Sequence, residues 1–374
     1  GWEKVVVPLV QASLDGGDGE VVRRLVHSAF RMGVEGGGKW EAREMLHLLF
    51  LVARTSLAGY VALCRELLDG SASGPDGPAS GPKDGSASGQ ATRALVATRA
   101  VAPLLREVAA SQQRLQKGDF ALYKDAASGS FQEAEVCQVH SEVFPAYFSI
   151  RLSGGREKQT EGVRLLSPHL LNVFQVSGAA RGEVASGIDA LRSSMAALLA
   201  GCGKRVLAQP GPPTDPAVTQ SLMALALGCR CGLSPVDDDA EGGGELWAKV
   251  MEGTCKWFPG AAAAAKKLPT PEGTYMLAAT GANGPSGAGG GSEGGLDVEA
   301  VVGDYWLAQL AAAEDGSCVR AMAARPAAWS LIASQIHLWL VDPAHRASPV
   351  HASALRLLVL CSRLAPPSSL QDGG

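Results

Sequence analysis

One stretch of about fifty residues, 118–166, is the only part of this chain with the pattern of β-structure. Its residues alternate between apolar and polar in short runs, and clusters of Gly and Ser separate the runs. The predicted strands are 120–125, 131–140, 146–152, 156–160 and a closing segment at 163–166. Val139 breaks the alternation of the second strand, which indicates a β-bulge near Cys137. Strands this few and short cannot form a two-layer sandwich, so we expect them to curl into a small barrel.

The sequence on both sides of this stretch has the patterns of helices. Apolar residues recur every three or four positions, as at Val22, Val26 and Phe30. Aromatic residues make up only 5% of the chain, so the core must consist mainly of Ala, Leu and Val, and Ala and Leu favour helices. Short Gly-containing loops between similar helices are typical of antiparallel pairs stacked in series. We therefore predict a mostly α fold, in which α-solenoid-like helix pairs of HEAT or armadillo type carry one small inserted β-barrel.

Low-complexity segments interrupt the predicted helices. Residues 69–89, 232–244 and 279–295 consist mainly of Gly, Ser, Ala, Pro and Asp, and cannot bury enough apolar surface to offset their ordering entropy. We predict that these segments are disordered loops. The predicted domains are a helical array over 1–116, the barrel over 117–166 and a second helical array over 167–374. Because the chain begins at Gly1 in a helical pattern, we interpret it as a fragment of a longer protein.

Charge and composition argue against several classes of partner. The net charge is −4, and residues 118–166 carry five Lys and Arg against seven Asp and Glu. A surface that reads a nucleic-acid backbone needs clustered positive charge, whereas an acidic barrel suits a basic peptide. No signal peptide opens the chain, and no apolar run reaches the length of a membrane span. The eight cysteines lie singly in apolar contexts, which is typical of reduced intracellular proteins, so we expect a cytoplasmic or nuclear location.

The motifs that could carry chemistry are incomplete. The run Gly201-Cys-Gly-Lys-Arg205 lacks the first glycine of a phosphate-binding loop and has Arg where Ser or Thr is needed, so we predict a turn here. Cys229 and Cys231 are the only close cysteine pair, and no second pair supports a zinc site with Cys202 and Cys255. We therefore predict no catalytic residue, no metal site and no cofactor for this segment. An enzyme with an unrecognised site stays an alternative.

Several short motifs within 118–166 point to a known family. They are Gly118-Asp119, Ala121-Leu-Tyr123, Phe131-x-x-Ala-x-Val136, Tyr147-x-x-Ile-x-Leu152 and Gly155-Arg-Glu-Lys-Gln-Thr160. Together they resemble a Tudor-type barrel, over about an eighth of the chain. Many Tudor domains hold methylated lysine or arginine in an aromatic cage by cation–π attraction. Tyr123 falls at a position that the resemblance assigns to the cage, whereas the late cage positions fall near Leu152 and Gly155, which are not aromatic.

Four aromatic residues are the candidate ligand-binding residues of the predicted barrel: Tyr123, Phe131, Phe144 and Tyr147. The alternative is that these side chains form the core and rim of the barrel. If they converge on one pocket, the resemblance implies a reader of methylated lysine or arginine. If they do not, the barrel is a structural element or a surface for unmodified peptides.

The context of the barrel narrows the predicted function. A Tudor-like insert ending in Gly155-Arg-Glu-Lys-Gln-Thr160 and set among helical repeats is similar to the non-catalytic arms of very large ubiquitin-specific proteases. The catalytic boxes of that family are absent from this sequence, so the resemblance implies that the segment positions a substrate and does not cut it. We predict a non-catalytic scaffold that mediates protein–protein interaction, with proteins or peptides, including basic or methylated ones, as partners.

Overall fold

The computed structural model describes residues 19–35, 56–69, 87–141, 147–167, 178–231 and 245–258, together with a few isolated positions. Six α-helices have bounds within these residues: α1 (Gly19–Glu35), α2 (Leu57–Asp69), α3 (Ala87–Gln113), α4 (Gly178–Leu207), α5 (Pro216–Arg230) and α6 (Glu245–Trp257). The strands are β1 (Phe120–Lys124), β2 (Phe131–His140), β3 (Tyr147–Leu152), β4 (Glu157–Glu161) and β5 (Leu165–Leu166). The predicted loops 232–244 and 279–295, and 70–86 of the first predicted loop, lie outside the described residues.

The chain divides into two compact units, each made of two pieces of sequence. The first unit contains residues 1–83 and 99–194, and the second contains residues 84–98 and 195–374. Two of the three boundaries, 98/99 and 194/195, fall inside α3 and α4. The sheet, α1 and α2 therefore belong to the first unit, and α5 and α6 belong to the second.

The prediction of a mostly α, solenoid-like fold is wrong. The described residues are 66% helical and also form a five-stranded antiparallel sheet, and this mixture of α and β contains no series of stacked helix pairs. The helices differ too much in length for such a series, since α2 has 13 residues while α3 has 27 and α4 has 30. Residues 87–89, which we predicted to be disordered, open α3.

Glycines inside α4 explain why we predicted a shorter helix than the structure shows. Gly201 and Gly203 were predicted to form a turn, yet α4 continues through both to Leu207. A glycine inside a helix costs about 0.5–1 kcal/mol relative to alanine. At Gly203 this cost accompanies close packing, because a Cβ there would lie 3.1 Å from a methyl of Leu246. At Gly187 a Cβ would lie 2.9 Å from Val61, so this glycine also lets a neighbour approach.

Local sequence signals place the start of α5 and hold α1 against α2. The Asp215 carboxylate accepts a hydrogen bond from the Ala217 N–H at 2.8 Å, and Pro216 occupies the first helical turn. In the first unit, Glu66 of α2 accepts hydrogen bonds from Arg23 Nε at 2.7 Å and pairs with His27 Nε2 at 2.8 Å, both on α1.

The predicted strands are confirmed, and so is the bulge in β2. The strand order is β4-β3-β2-β1-β5, and each pair of neighbouring strands is antiparallel. The register between β2 and β3 shifts between Val136 and Gln138, which places the bulge at Cys137. Gly118 and Gly155 have φ values of +92° and +75°, so both predicted turns require a conformation that glycine adopts readily. A single 3-10 turn, Gly162–Arg164, leads into β5.

The sheet is strongly curled, so its two faces differ. Neighbouring strands lie about 4.8 Å apart, which would put β1 and β4 roughly 14 Å apart in a flat sheet. Nevertheless, Lys158 of β4 donates to Asp125 Oδ1, next to the end of β1, at 3.1 Å. Its ammonium also lies 5.4 Å from the centre of the Tyr123 ring. The curl encloses an inner face and leaves an outer face on the convex side. No pairing between β4 and β5 is found among the described strands.

Candidate functional site

The inner face of the sheet is filled by its own hydrophobic core. Side chains from four strands and from the second residue after α3 form one buried cluster: Leu115, Ala121, Tyr123, Ala134, Val136, Phe148, Ile150, Leu152 and Leu165. Their packing follows from the alternation of the strands, because residues directly opposite each other share a face. Since this cluster occupies the concave side, a partner must bind elsewhere on the sheet.

Tyr123 lies in that core, in contact with a cation from the same chain. Only 3% of its surface is exposed, and the Lys158 ammonium lies over its ring. The hydrogen bond from Lys158, followed by that from Ser128, lowers the pKa of the Asp125 carboxyl group. The same carboxylate accepts from the Ser128 hydroxyl at 3.1 Å, within the turn that joins β1 to β2. Lysine, tyrosine and aspartate thus close the curl of the sheet, a contact that the strand pattern did not predict.

Part of the outer face is covered by the rest of the first unit. Leu122 and Leu166 pair across β1 and β5 on this face, and both are buried. Lys124, two residues further along β1, forms an ion pair with Asp189 of α4. Gln112 of α3 donates to the Leu165 carbonyl at 2.7 Å. These contacts cover the β1–β5 side of the outer face.

The other side of the outer face, formed by β2, β3 and β4, is exposed and acidic. Arg151 lies at its centre and donates to Glu157 at 2.9 Å and to Glu135 at 3.4 Å. The hydrogen bond to Glu157 is the main reason that the pKa of Arg151 is raised. Glu133 and Glu161 are exposed on the same face, and neither forms an ion pair within the part of the chain that the structure describes. Four carboxylates therefore share this surface with one guanidinium.

Besides Phe131 of β2, aromatic side chains lie at two positions on this acidic surface. His140 and Tyr147 stack with ring centres 4.1 Å apart and planes 11° from parallel, and His140 Nε2 is 2.9 Å from the Ser149 hydroxyl. Phe120 opens β1 opposite Glu135 and is 63% exposed. An exposed phenylalanine offers an apolar contact beside the carboxylates. We call β2–β4 of the outer face, together with Phe120, the acidic outer face.

The four predicted ligand-binding aromatics do not share one location. Tyr123 lies on the inner face, whereas Phe131 pairs with Lys124 and belongs to the outer face. Tyr147 pairs with His140, nine residues along β2 from Phe131, at the opposite end of that strand. Phe144 lies outside the described residues. The prediction missed Phe120 as a surface residue, although its position at the start of a strand beside polar residues was visible in the sequence.

Comparison with protein-family models, with curated proteins and with solved structures finds no match to this chain. What can be argued about its function therefore comes from the side chains themselves. Among the described helices, none combines the length and the apolar character that crossing a membrane requires. In the same part of the chain, no group of three or more His, Cys, Asp or Glu side chains is arranged to hold a metal ion.

Two of the cysteines are too deeply buried to act as nucleophiles. Burial raises the pKa of the Cys64 thiol to about 12 and that of the Cys202 thiol to about 11. The thiolate is the reactive form of cysteine, and at neutral pH both groups are thiols. Cys202 lies near Arg205 and Ser221, but these contacts do not outweigh its burial. Neither cysteine is a candidate catalytic residue.

Proposed function

We propose that this chain is a non-catalytic scaffold segment that binds other proteins, and that its acidic outer face recognises a basic peptide. The observation that carries the proposal is the exposed surface of β2–β4, where four carboxylates face one arginine. Because the core fills the inner face, the outer face is the side of the sheet that a partner can reach. We further propose an intracellular setting, in which nucleic acid and membranes are not partners.

The geometry supports recognition by charge with one apolar contact. Glu133 and Glu161 have no ion pair among the described residues, so a lysine or arginine of a partner would not need to displace an existing cation. Rim contacts of this kind mainly raise the association rate and select partners by sign of charge. Phe120 adds an exposed ring next to Glu135, and aromatic residues are enriched at protein interfaces.

The sequence resemblance gives a narrower form of this proposal. Five short antiparallel strands close to the predicted bounds support the resemblance to Tudor-type domains. In the non-catalytic arm of a very large ubiquitin-specific protease, such a surface would hold a basic segment of a substrate while another part of the protein cuts. This assignment is a proposal that rests on the motifs quoted above.

Recognition of methylated residues by an aromatic cage stays an alternative prediction. The contacts favour the acidic outer face over a cage built on Tyr123, because that ring is 3% exposed and already lies against Lys158. A ligand would have to displace the ammonium of the chain itself. The stacked rings of His140 and Tyr147 are half-buried, and they are the aromatic pair that remains for an aromatic cage.

A peptide-binding measurement separates these alternatives. A fluorescein-labelled 15-residue peptide rich in lysine is titrated with the intact chain, and fluorescence polarisation is recorded. Glu133→Lys and Glu161→Lys should each weaken binding roughly three- to tenfold, since an interfacial like-charge contact costs about 1 kcal/mol or more. Glu183→Lys is the matched control, because Glu183 is exposed on α4 and lies outside the acidic outer face.

The methylation state of the peptide provides the second arm. Recognition by charge predicts equal affinity for unmodified and trimethylated lysine, since methylation keeps the positive charge. A clear preference for the trimethylated peptide, lost in Tyr147→Ala but kept in Glu133→Lys, would favour the cage. Equal weakening by all three charge reversals would contradict a role for the acidic outer face.

A further inference from the structure

Strand β4 is a free edge of the sheet. It ends the strand order on one side, and it pairs with β3 over five consecutive residue pairs without a register shift. The opposite edge, β5, has two residues, and Gln112 of α3 donates to its Leu165 carbonyl at 2.7 Å. An edge strand presents unpaired backbone groups that can pair with another extended chain. β4 is therefore the candidate edge for an added strand.

The hydrogen bonds of the β3–β4 hairpin show which backbone groups face away from β3. The Leu152 N–H donates to the Arg156 carbonyl at 2.9 Å, so the backbone groups of Arg156 point to β3. Residues two positions apart on a strand direct their backbone groups to the same side, so Lys158 and Thr160 also bond to β3. That leaves three residues of β4 whose backbone groups point to the free edge: Glu157, Gln159 and Glu161.

These backbone groups are accessible to a partner. Glu157, Gln159 and Glu161 are exposed, and no described residue bonds to the backbone N–H or carbonyl of Glu157 or Gln159. Glu161 is the N-cap of the 3-10 turn that follows, so its carbonyl accepts within that turn while its N–H points to the edge. An extended peptide that adds a strand to a sheet gains main-chain hydrogen bonds from such groups. The free edge thus supplies affinity for any segment that can become extended.

The side chains along β4 select the charge of that segment. Directly opposite residues in antiparallel strands share a face, so partner residues opposite Glu157, Gln159 and Glu161 lie on the acidic outer face. Glu157 already accepts from Arg151 at 2.9 Å, whereas Glu161 forms no ion pair among the described residues. A lysine or arginine opposite Glu161 gains an ion pair, and an acidic residue there is repelled. Glu161 therefore carries the preference for a basic partner.

The same charges disfavour a second copy of this chain as the added strand. If two copies of β4 paired antiparallel about Gln159, Glu157 of each copy would lie opposite Glu161 of the other. Like charges directly opposite each other destabilise a strand pair. On the inner face, the side chains of an added strand lie beside Lys158, which already pairs with Asp125 at 3.1 Å, so uncharged residues fit there.

We propose that β4 binds an extended basic segment of a partner protein as an added antiparallel strand, with lysine or arginine at alternate positions on the acidic outer face and uncharged residues between them. This binding mode rests on the proposed function, from which it takes the basic peptide. It adds the edge that the peptide occupies, its direction and its backbone hydrogen bonds. A basic segment held in a helix would not bind, because its backbone groups bond within the helix.

The test uses a fluorescein-labelled peptide in which lysine and threonine alternate, titrated with the intact chain and followed by fluorescence polarisation. In the proposed arrangement, the lysine N–H groups face β4 and the threonine N–H groups face solvent. Backbone N-methylation of two lysines keeps their charge and should weaken binding about tenfold, because each loses one hydrogen bond to β4. Backbone N-methylation of two threonines is the matched control and should leave the affinity unchanged.

A substitution in β4 provides an independent arm. The Gln159 N–H points to the free edge, so Gln159→Pro removes a donor to the partner without removing a hydrogen bond to β3. Binding should fall about fivefold in Gln159→Pro, because one backbone hydrogen bond is lost. Gln159→Ala keeps the N–H and should bind like the unmodified chain, and circular dichroism confirms that each variant is folded.

The outcomes separate this binding mode from the proposed function. Equal affinity of the two N-methylated peptides, or weaker binding of the threonine-methylated one alone, would overturn the strand pairing and leave recognition by charge in place. Full binding by a folded Gln159→Pro variant would overturn the pairing as well. Absence of saturable binding of the peptide without N-methyl groups would overturn both proposals. If Gln159→Pro fails to fold, the comparison of the two N-methylated peptides decides.

Discussion

Arg99 on α3 offers a direct test of the packing of the first unit. Only 6% of its surface is exposed, and Nε, Nη1 and Nη2 have no hydrogen-bond partner in the described part of the chain. Burial lowers the pKa of the guanidinium to about 9, so the group is still charged at neutral pH. A buried charge without a partner destabilises the folded state. We therefore expect Arg99→Met, which keeps an unbranched apolar chain of similar length, to stabilise the protein.

The size of the effect follows from the same observation. The lowered pKa of about 9 corresponds to several kcal/mol at about 1.36 kcal/mol per pKa unit, which is an upper bound for the electrostatic cost. Replacement of buried ionic groups by apolar ones gains about 1–4 kcal/mol in other proteins, so we expect about 2–3 kcal/mol here. In a unit of roughly 180 residues, this gain raises the melting temperature by about 4–12 °C.

The assay is thermal unfolding followed by circular dichroism at 222 nm, with Arg114→Met as the control. Arg114 is exposed and pairs with Glu107, and an exposed ion pair contributes at most about 1 kcal/mol. The folded chain releases the Arg99 proton near pH 9, whereas the unfolded chain keeps it to a much higher pH, so the cost is complete below pH 9 and falls above it. The gain in Arg99→Met should therefore shrink as the pH rises above 9. A lower melting temperature in Arg99→Met would refute the reasoning and reveal a partner for the guanidinium.

Two further predictions concern helix packing and thiol reactivity. Gly228→Ala should destabilise the second unit by about 1–3 kcal/mol, because its Cβ would lie 2.3 Å from a methyl of the buried Leu199. A Cβ at Gly201 would meet no neighbouring atom, so Gly201→Ala should stabilise α4 by about 0.5–1 kcal/mol. Equal melting temperatures for these two variants would contradict the packing at Leu199. Cys64 and Cys202 should resist alkylation by iodoacetamide at pH 8 in the folded protein and react in urea, as measured by mass spectrometry. Alkylation of either cysteine without denaturant would show that its thiol is not buried as described.

The strands were predictable because their signals are local. Alternation along Phe148, Ile150 and Leu152 placed these residues on the core face, where the structure has them. The glycines at 118 and 155 marked turns that require positive φ, and the broken alternation at Val139 located the bulge in β2. Each of these features depends on residues a few positions apart, so the sequence contains the information needed to predict it.

The long helices were harder to predict from sequence. Gly201 and Gly203 are typical of a turn, and local preference would end a helix there. The structure keeps both inside α4, and the methyl groups of Leu246, more than forty residues later in the chain, lie against Gly203. A contact between residues so far apart in the chain cannot be recognised from a short stretch of sequence. The solenoid prediction failed for this reason, because it rested on reading such glycines as the ends of short helices.

The sequence by itself determined the strands, their order along the chain, the turn glycines and the cap of α5, since all of these follow from neighbouring residues. Tertiary structure decided which surfaces are available for binding. The curl that brings Lys158 over Tyr123 places a predicted ligand-binding residue in the core. The packing of α3 and α4 covers the outer face at β1 and β5 and leaves Glu133 and Glu161 exposed. Burial is a property of contacts between distant segments, and alternation along a strand fixes only which residues share a face.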